Sequence, residues 1–208
     1  MTEPTLRRYA PRDAGDHPPF SYPDYKSTVL RAPVEDPVSI IQTLSETTGP
    51  GPVWAATVEE DADLTTNAGT GSPAIGSRII VTGRVLDEGL RPVPGTLLEI
   101  WQANSAGRYI HWRDSETAAP LDPNFIGVGR CITGPDGVYR FTTVRPGPYP
   151  WGNHPNAWRP SHIHFSLLGP ALGSRLVTQM YFSGDPLQPL DPIFNSVPDH
   201  ARTRLIAT

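Results

Sequence analysis

The sequence has a single cysteine, no long apolar run and no excess of positive charge. Cys131 alone cannot form an internal disulfide, and it excludes a metal site built only from thiolates. Lys and Arg total 17 against 21 Asp and Glu, so no basic surface for nucleic acid or an anionic membrane is expected. No apolar stretch approaches membrane-spanning length, and the first residues lack the apolar segment of a signal peptide. We therefore expect a cytoplasmic protein.

Several common catalytic signatures are also missing. The chain has no Gly-x-Ser-x-Gly elbow, no His-Glu-x-x-His, no phosphate-binding loop and no Cys-x-x-Cys. Ser161 beside His162 is a poor hydrolase pair, because adjacent residues on a strand face opposite ways. None of these signatures therefore explains what the chain does.

Proline and glycine are plentiful, with 25 and 19 of 208 residues, and they separate short β-branched segments. The predicted strands are Arg78 to Asp87, Thr96 to Gln102, Val128 to Thr133, Val138 to Thr143, Arg159 to Leu168 and Arg175 to Phe182. The turn residues Gly134 to Gly137 predict a hairpin between the third and fourth, and the last two are predicted to pair. Only Pro198 to Ile206 has a helical pattern. This arrangement predicts an all-β protein, an antiparallel β-sandwich with long loops and little helix.

The first third of the chain has a different composition. Residues 1–37 contain seven prolines and no sustained period, yet they carry aromatic residues that disordered chains lack: Tyr9, Phe20, Tyr22 and Tyr25. Val38 to Leu44 could form a strand or a helix, and Glu59 to Gly76 indicates a loop. We expect residues 1–77 to be a Pro-rich N-terminal arm with loops that packs on the core or on a partner subunit. Residues 78–208 are then the β-sandwich catalytic core.

A histidine pair lies within the segment Arg159 to Phe165. Side chains alternate faces along a strand, so His162 and His164 share one face while Ile163 and Phe165 point into the opposite layer. Two imidazoles about 6.5 Å apart along a strand can bind one metal ion. Two histidines on a hydrated sheet face are the ordinary interpretation unless other ligands join them.

Two residue types could supply those further ligands. The remaining histidines lie in loop-like or terminal contexts, where solvated polar side chains are usual: His17, His111, His154 and His200. The other candidates are Tyr109, which follows Gly107, and Tyr149, which follows Pro146-Gly147-Pro148. From composition alone, each tyrosine is most often a packed aromatic residue with its hydroxyl satisfied.

Five segments of the chain together carry a family resemblance. They are Leu98 to Asn104, Gly107 to Tyr109, Leu121 to Phe125, Pro146 to Trp151 and Trp158 to Phe165. In this order they resemble the intradiol ring-cleaving dioxygenases, over roughly residues 20 to 195. The likeness is greatest to members that cleave protocatechuate (3,4-dihydroxybenzoate) with O₂ to 3-carboxy-cis,cis-muconate.

The resemblance implies a non-haem Fe(III) held by Tyr109, Tyr149, His162 and His164. Phenol titrates at about 10 in water, so a phenolate ligand at neutral pH needs a strongly charged hard cation. Fe(III) meets this need better than Zn(II) or Fe(II). The resemblance also implies that Tyr149 leaves the metal when the aromatic diol binds, and takes up one of its protons.

Further roles come from the same resemblance. Arg159 and Gln179 match positions beside the reacting ring, where a fixed guanidinium would stabilise developing charge. Tyr25 matches the contact to the substrate carboxylate. The matching pocket walls are Trp101, Trp151 and Ile193. A homologous α subunit in a hetero-oligomer is the implied partner.

Two alternatives remain open at this point. Within the family, catechol or hydroxyquinol could be the substrate, although enzymes of that kind carry a helical N-terminal segment that residues 1–77 do not predict. From another class, the chain could be a non-catalytic α-type subunit or a β-sandwich binding module, but such a chain would lack at least one of the four ligands. Catalytic chains of the family also have a further strand beyond the position of Thr208, so we expect a shortened or partial version here.

Overall fold

The computed structural model describes residues 14–35, 38, 57–114, 118–169 and 175–208. Apart from Val38, the predicted stretch Val38 to Leu44 lies outside these ranges, as do Tyr9 and part of the turn predicted between the last two strands. None of the helices within the described ranges is long and apolar enough to cross a membrane.

Strands make up most of the regular structure, as the β-branched segments predict. Their bounds are β1 Arg78–Arg84, β2 Leu97–Trp101, β3 Val128–Ile132, β4 Val138–Val144, β5 Tyr149–Pro150, β6 Trp158–Arg159, β7 His162–Leu168, β8 Arg175–Phe182 and β9 Ile206–Ala207. One sheet has five strands in the order β3-β2-β7-β8-β9, a second contains β1 and β4, and β5 and β6 form a short ladder. Of the strands in the described residues, only β8 and β9 pair in parallel, and one isolated parallel bridge joins Asp63 to Thr142. The prediction of a mainly antiparallel all-β fold is therefore confirmed.

The hydrophobic core lies between the five-stranded sheet and the β1–β4 pair. Its central side chains are Leu98, Ile100, Phe141, Ile163 and Phe165. The rings of Phe141 and Phe165 meet edge to face with centroids 5.8 Å apart. Burying a side chain of this size contributes about 1.5 to 3 kcal/mol. Because Ile163 and Phe165 point into this core, His162 and His164 must project from the other face of β7.

Helices are few and short. They are α1 Lys26–Arg31, α2 Pro192–Asn195 and α3 Asp199–Arg202, with 3₁₀ turns at Ala14–Asp16, Glu59–Ala62, Gln188–Leu190 and Thr203–Leu205. The helix predicted from Pro198 to Ile206 corresponds to α3 and the 3₁₀ turn after it, although Ile206 itself belongs to β9. The sequence did not predict α1, because six residues are too few to show a helical period.

The predicted hairpin at Gly134 to Gly137 forms its turn but not its strand pair. The Gly134 N–H donates to the Val138 carbonyl and the Gly137 N–H donates to the Gly134 carbonyl, both at 2.9 Å. However, β3 pairs with β2, and β4 pairs with β1, so the two strands lie in different sheets. The pairing prediction was wrong because turn chemistry is local, whereas the choice of sheet depends on which face each strand buries. The predicted pairing of the last two strands is confirmed as β7 with β8.

The described part of the arm lies against the core. Asn153 connects the two, because its Oδ1 accepts from the Lys26 N–H at 3.0 Å and its Nδ2 donates to the Asp24 carbonyl at 2.7 Å. These bonds position Tyr25 beside Trp151, with ring centroids 5.5 Å apart. The arm therefore reaches the same end of the sandwich as the β5–β6 ladder.

Candidate metal centre

The two histidines of β7 are close together and held in fixed orientations. His162 Nε2 lies 3.2 Å from His164 Nε2. The Pro160 carbonyl lies 2.6 Å from His162 Nδ1, which makes that nitrogen the N–H donor and leaves a lone pair on Nε2. Trp101 is the β2 partner of His164 in the ladder and stacks on its ring, with centroids 4.7 Å apart. Both imidazoles therefore offer nitrogen atoms to one point.

Two tyrosines reach the same point, Tyr109 from the loop of Gly107 and Tyr149 from the first position of β5, directly after the loop of Gly147. The Asn104 carbonyl accepts from the N–H of Gly107 at 3.0 Å and from the N–H of Gly147 at 2.9 Å, so the two loops share one acceptor. Gly107 has a left-handed φ of +80°, and a Cβ there would overlap a carbonyl oxygen of the other loop. Only glycine permits this approach. The loops touch backbone to backbone, and the rings of Tyr109 and Tyr149 meet edge to face with centroids 5.4 Å apart.

The four side chains converge at the base of a cleft of about 540 Å³. Tyr109, Tyr149 and His164 line this cleft. His162 lies behind them, 2% exposed, with Nε2 3.4 Å from the Tyr149 hydroxyl. The Tyr109 hydroxyl is buried and has no hydrogen-bond partner among the described residues, which is unusual for a phenol. A bound cation would satisfy it, and two phenols with two imidazoles suit a hard trivalent ion.

Burial keeps these four groups neutral. Burial, assisted by the positive charge of Arg159, lowers the pKa of His164 to about 4 and holds the pKa of His162 well below its ordinary value. Burial also raises the pKa of Tyr109 well above its ordinary value, and it raises that of Tyr149 against the opposing charge of Arg159. The imidazoles can donate lone pairs at neutral pH, whereas the phenols ionise only beside a strongly charged cation. In the described part of the chain, no three His, Cys, Asp or Glu side chains form another ligand cluster.

Arg159 lies behind the cleft. The short β5–β6 ladder pairs it with Tyr149. Its guanidinium donates to Gln179 Oε1 at 2.5 Å and lies 5.6 Å from the ring centroid of Trp151. A fixed positive charge therefore lies close to the phenol and imidazole groups.

The predicted substrate residues fall into two groups. Trp101 and Trp151 line the cleft. The remaining four are absent from its lining: Tyr25, Arg159, Gln179 and Ile193. Tyr25 packs on Trp151, and Ile193 belongs to α2. The structure brings the tyrosine and histidine candidates together and sets these four residues in a layer behind or beside them.

Sequence reasoning missed two aspartates that fix residues of the site. Asp114 Oδ2 accepts from the backbone N–H of Tyr109 at 2.6 Å. Asp191 caps α2 and also pairs with Arg159. An Asp before a Pro is a recognisable signal for the start of a helix. No comparable signal connects Asp191 with Arg159, which is 32 positions away.

The other four histidines do not join the cluster. All are exposed: His17, His111, His154 and His200. His111 lines the outer part of the cleft, and His200 pairs with Asp16 at 2.7 Å. Ser161 donates its hydroxyl to the Pro146 carbonyl at 2.6 Å, a structural bond consistent with its rejection as a nucleophile.

Comparisons with known proteins match both parts of the chain. A family model described as "Dioxygenase" matches residues 49–208, and one described as "Protocatechuate 3,4-dioxygenase beta subunit N terminal" matches residues 10–43. The chain is 53% identical to the protocatechuate 3,4-dioxygenase beta chain of Burkholderia cepacia, over 100% of its own length and 87% of that relative. It is 33% identical to the chlorocatechol 1,2-dioxygenase of Rhodococcus opacus, over 56% of its own length and 51% of that relative.

Solved structures of similar proteins share the fold. The crystal structure of a 3-chlorocatechol 1,2-dioxygenase from Rhodococcus opacus gives a TM-score of 0.55 at 25% identity, covering 76% of this chain and 61% of that one. A hydroxyquinol 1,2-dioxygenase from Pseudomonas putida gives 0.52 at 27% identity, covering 74% and 55%. A family model matches residues 49–208, and a relative is 53% identical over the whole of this chain, so this chain belongs to the intradiol ring-cleaving dioxygenases.

Proposed function

We propose that this chain is the catalytic subunit of an enzyme that cleaves protocatechuate with O₂ to 3-carboxy-cis,cis-muconate. The observation that carries the proposal is the convergence of Tyr109, Tyr149, His162 and His164 at the base of one cleft. The relative from Burkholderia cepacia, 53% identical, supports the choice of substrate through its name.

Fe(III) is the proposed cofactor, with these two tyrosines and two histidines as its ligands. When bound, it would supply a Lewis acid that keeps the phenols ionised and activates an aromatic diol. The unpartnered hydroxyl of Tyr109 and the neutral state of His162 and His164 support this assignment.

Tyr149 is the proposed proton acceptor. Its oxygen lies at the base of the cleft, 3.4 Å from His162 Nε2, where a phenolate takes up a proton from the entering diol. Arg159 holds a fixed positive charge close by and stabilises negative charge on the ring, and Gln179 holds the guanidinium in place.

The walls of the cleft suit an aromatic ring. Trp101 and Trp151 present flat faces, and Trp101 is held by its stacking on His164. Tyr25, packed on Trp151, is the proposed hydrogen-bond donor to the substrate carboxylate, with Ile193 as a further apolar wall. This donor would favour protocatechuate over catechol, which carries no carboxylate.

A homologous α-type subunit is the proposed partner. Apolar side chains are exposed around the mouth of the cleft, with exposed fractions of 58% for Ile110, 77% for Trp112, 41% for Ile126 and 50% for Val128. Patches of this kind mark protein interfaces. The similar protein from Burkholderia cepacia is named a beta chain, which supports an assembly with a second kind of chain.

Metal analysis, visible spectroscopy and O₂ uptake test the proposal on the full chain purified with its partner. We expect iron in equimolar amount, a tyrosinate-to-Fe(III) charge-transfer band, and faster O₂ uptake with protocatechuate than with catechol. His162→Ala should abolish all three, because it removes a ligand and its fixed lone pair.

His154→Ala is the matched control, since His154 is exposed and its ring contacts only the adjacent Pro155 carbonyl, at 2.9 Å. It should leave iron, colour and turnover unchanged. A colourless zinc protein, or a His162→Ala variant that keeps its iron, would contradict the proposal. A preference for catechol or hydroxyquinol would reassign the substrate.

A further inference from the structure

Asp191 is a buried carboxylate whose two oxygens have separate partners, and the Tyr181 hydroxyl also donates to its Oδ2 at 3.4 Å. Its side chain is fully buried. Oδ1 accepts from the Ile193 N–H at 3.0 Å and so caps α2, which carries Ile193. Oδ2 accepts from Nε of Arg159 at 3.1 Å. One carboxylate therefore contacts both the helix that carries Ile193, a proposed wall of the substrate site, and Arg159, which lies behind that site.

The guanidinium of Arg159 has further partners besides Asp191. One terminal nitrogen donates to Gln179 Oε1 at 2.5 Å and to the Tyr181 hydroxyl at 3.2 Å. The side chain is 5% exposed. Asp191, Gln179 and Tyr181 therefore hold Nε and one terminal nitrogen of the guanidinium, which sets both its position and its plane.

A purely structural role does not account for Asp191. Capping a helix needs one oxygen, and Ser, Thr or Asn serves as well as Asp. A buried ion pair is also weak evidence for stability, because removing two charges from water offsets their attraction. The second oxygen, directed at Arg159, is the feature that needs another explanation.

We propose that Asp191 is a positioning residue of the reaction, which acts by orienting Arg159 toward the bound ring while its cap fixes Ile193. This inference rests on the proposed function, because Arg159 acts on the substrate only there. A carboxylate with both of these contacts holds the guanidinium of Arg159 and the side chain of Ile193 in a fixed relative position. Misplacing a catalytic group by about 1 Å can lower turnover about 100-fold.

Asp191→Asn tests this role, because Asn retains the cap and loses the charge. We expect kcat to fall about 100-fold with little change in KM, while iron content and the visible band stay unchanged. Tyr181→Phe, which removes one hydroxyl contact of Arg159, should give a smaller loss of the same kind. Turnover of Asp191→Asn equal to that of the wild type would overturn the proposal.

A double-mutant cycle separates positioning from general structure. If Asp191 acts only through Arg159, then the double variant Asp191→Asn with Arg159→Ala loses no more activity than Arg159→Ala alone. Asp122→Asn is the matched control, since Asp122 is also buried but binds the N–H groups of Asn124 and Ile75. The activity loss caused by Asp122→Asn should multiply with the loss caused by Arg159→Ala in the double variant. If the activity losses of Asp191→Asn and Arg159→Ala instead multiply in the double variant, the proposal is overturned.

A crystal structure tests the contact between Asp191 and Arg159 independently of which reaction the enzyme catalyses. In a crystal structure of Asp191→Asn, the Arg159 guanidinium should leave Gln179. An unmoved guanidinium would overturn the inference even if the enzyme proves active on protocatechuate. If wild type cleaves no diol, the proposed function fails, and the proposed reaction role fails with it whatever the guanidinium does. If Asp191→Asn does not fold, Asp191→Ser, which keeps an oxygen for the cap and removes the carboxylate, goes through the same cycle with Arg159→Ala and decides in the same way.

Discussion

At the scale of single residues, burial opposes charge in the two tyrosines and two histidines of the site. It leaves His164 with a pKa of about 4, and it raises the pKa of Cys131 to about 12 in the core. The single thiol is thus protonated at neutral pH and is neither nucleophile nor ligand. Arg159 remains charged through its contact with Asp191. The site combines neutral potential ligands with one fixed positive charge.

Tyr149→Phe should retain some iron but turn over slowly. The variant loses the phenolate that takes up a substrate proton, and general acid–base groups are worth on the order of 100-fold or more in rate. Tyr139→Phe is the control, because Tyr139 packs on Phe141 and Phe165 in the core, away from the cleft. Steady-state O₂ uptake per bound iron gives the comparison. Near-normal turnover of Tyr149→Phe would show that another group accepts the proton.

Part of the site could be predicted from single residues. The alternation of β7 placed His162 and His164 on one face, and the structure agrees. The tyrosines could be singled out as turn neighbours, but only the family resemblance joined them to the histidines. Asp191 could not be connected with Arg159, because the contact depends on how α2 packs against β6 and not on any local pattern.

At the scale of elements, the centre combines paired strands with two loops. β7 is hydrogen-bonded to β2 on one side and β8 on the other. The tyrosine loops are joined by the Asn104 carbonyl and the close approach at Gly107. The Asn104 junction therefore helps to set the spacing between the two tyrosines, together with the Asp114 bond to Tyr109 and the β5–β6 pairing of Tyr149.

Gly107→Ala should separate the tyrosine loops. The left-handed φ alone costs about 1 to 3 kcal/mol for a residue with a Cβ, and the overlap with the other loop adds to this. We expect lower iron content and a weaker visible band, with the far-ultraviolet circular dichroism retained. Gly169→Ala is the control, since a Cβ there meets nothing within 4 Å and φ is not left-handed. Equal iron content in both variants would argue against the junction.

The strands were easier to predict than their partners. Turn chemistry located the Gly134 to Gly137 turn correctly, yet β3 and β4 separate into different sheets. Which sheet a strand joins depends on contacts with distant segments such as β1 and β2, and these leave no trace in the turn itself. The short helix α1 was missed for the opposite reason, because it is too brief to show a period.

At the scale of the whole molecule, the cleft opens onto an apolar surface. Ile110 lines the cleft and Trp112 lies two positions further along the same loop, and both side chains are exposed. A partner subunit that covers this surface would exclude water from the reacting ring. Assembly and turnover would then depend on each other.

Trp112→Ala should weaken association with the partner subunit. Aromatic anchors at the centre of an interface contribute about 2 kcal/mol or more, which corresponds to roughly 30-fold in Kd. Leu90→Ala is the matched control, because Leu90 has the same exposed fraction, 77%, in a turn that does not line the cleft. Titration by sedimentation or calorimetry gives the Kd of each variant for the partner subunit. Equal affinities, or full activity from the isolated monomer, would count against this interface.

The histidines and the tyrosine loops are held in place in different ways, and this difference affects how a metal would enter the folded chain. The histidines are fixed by a strand with neighbours on both edges, whereas a single carbonyl, that of Asn104, accepts from both tyrosine loops. Opening that one junction would let the loop of Gly107 carry Tyr109 aside, while the ladders that hold Tyr149, His162 and His164 stay paired. Metal could thus load after folding is complete, through a local opening far less costly than global unfolding.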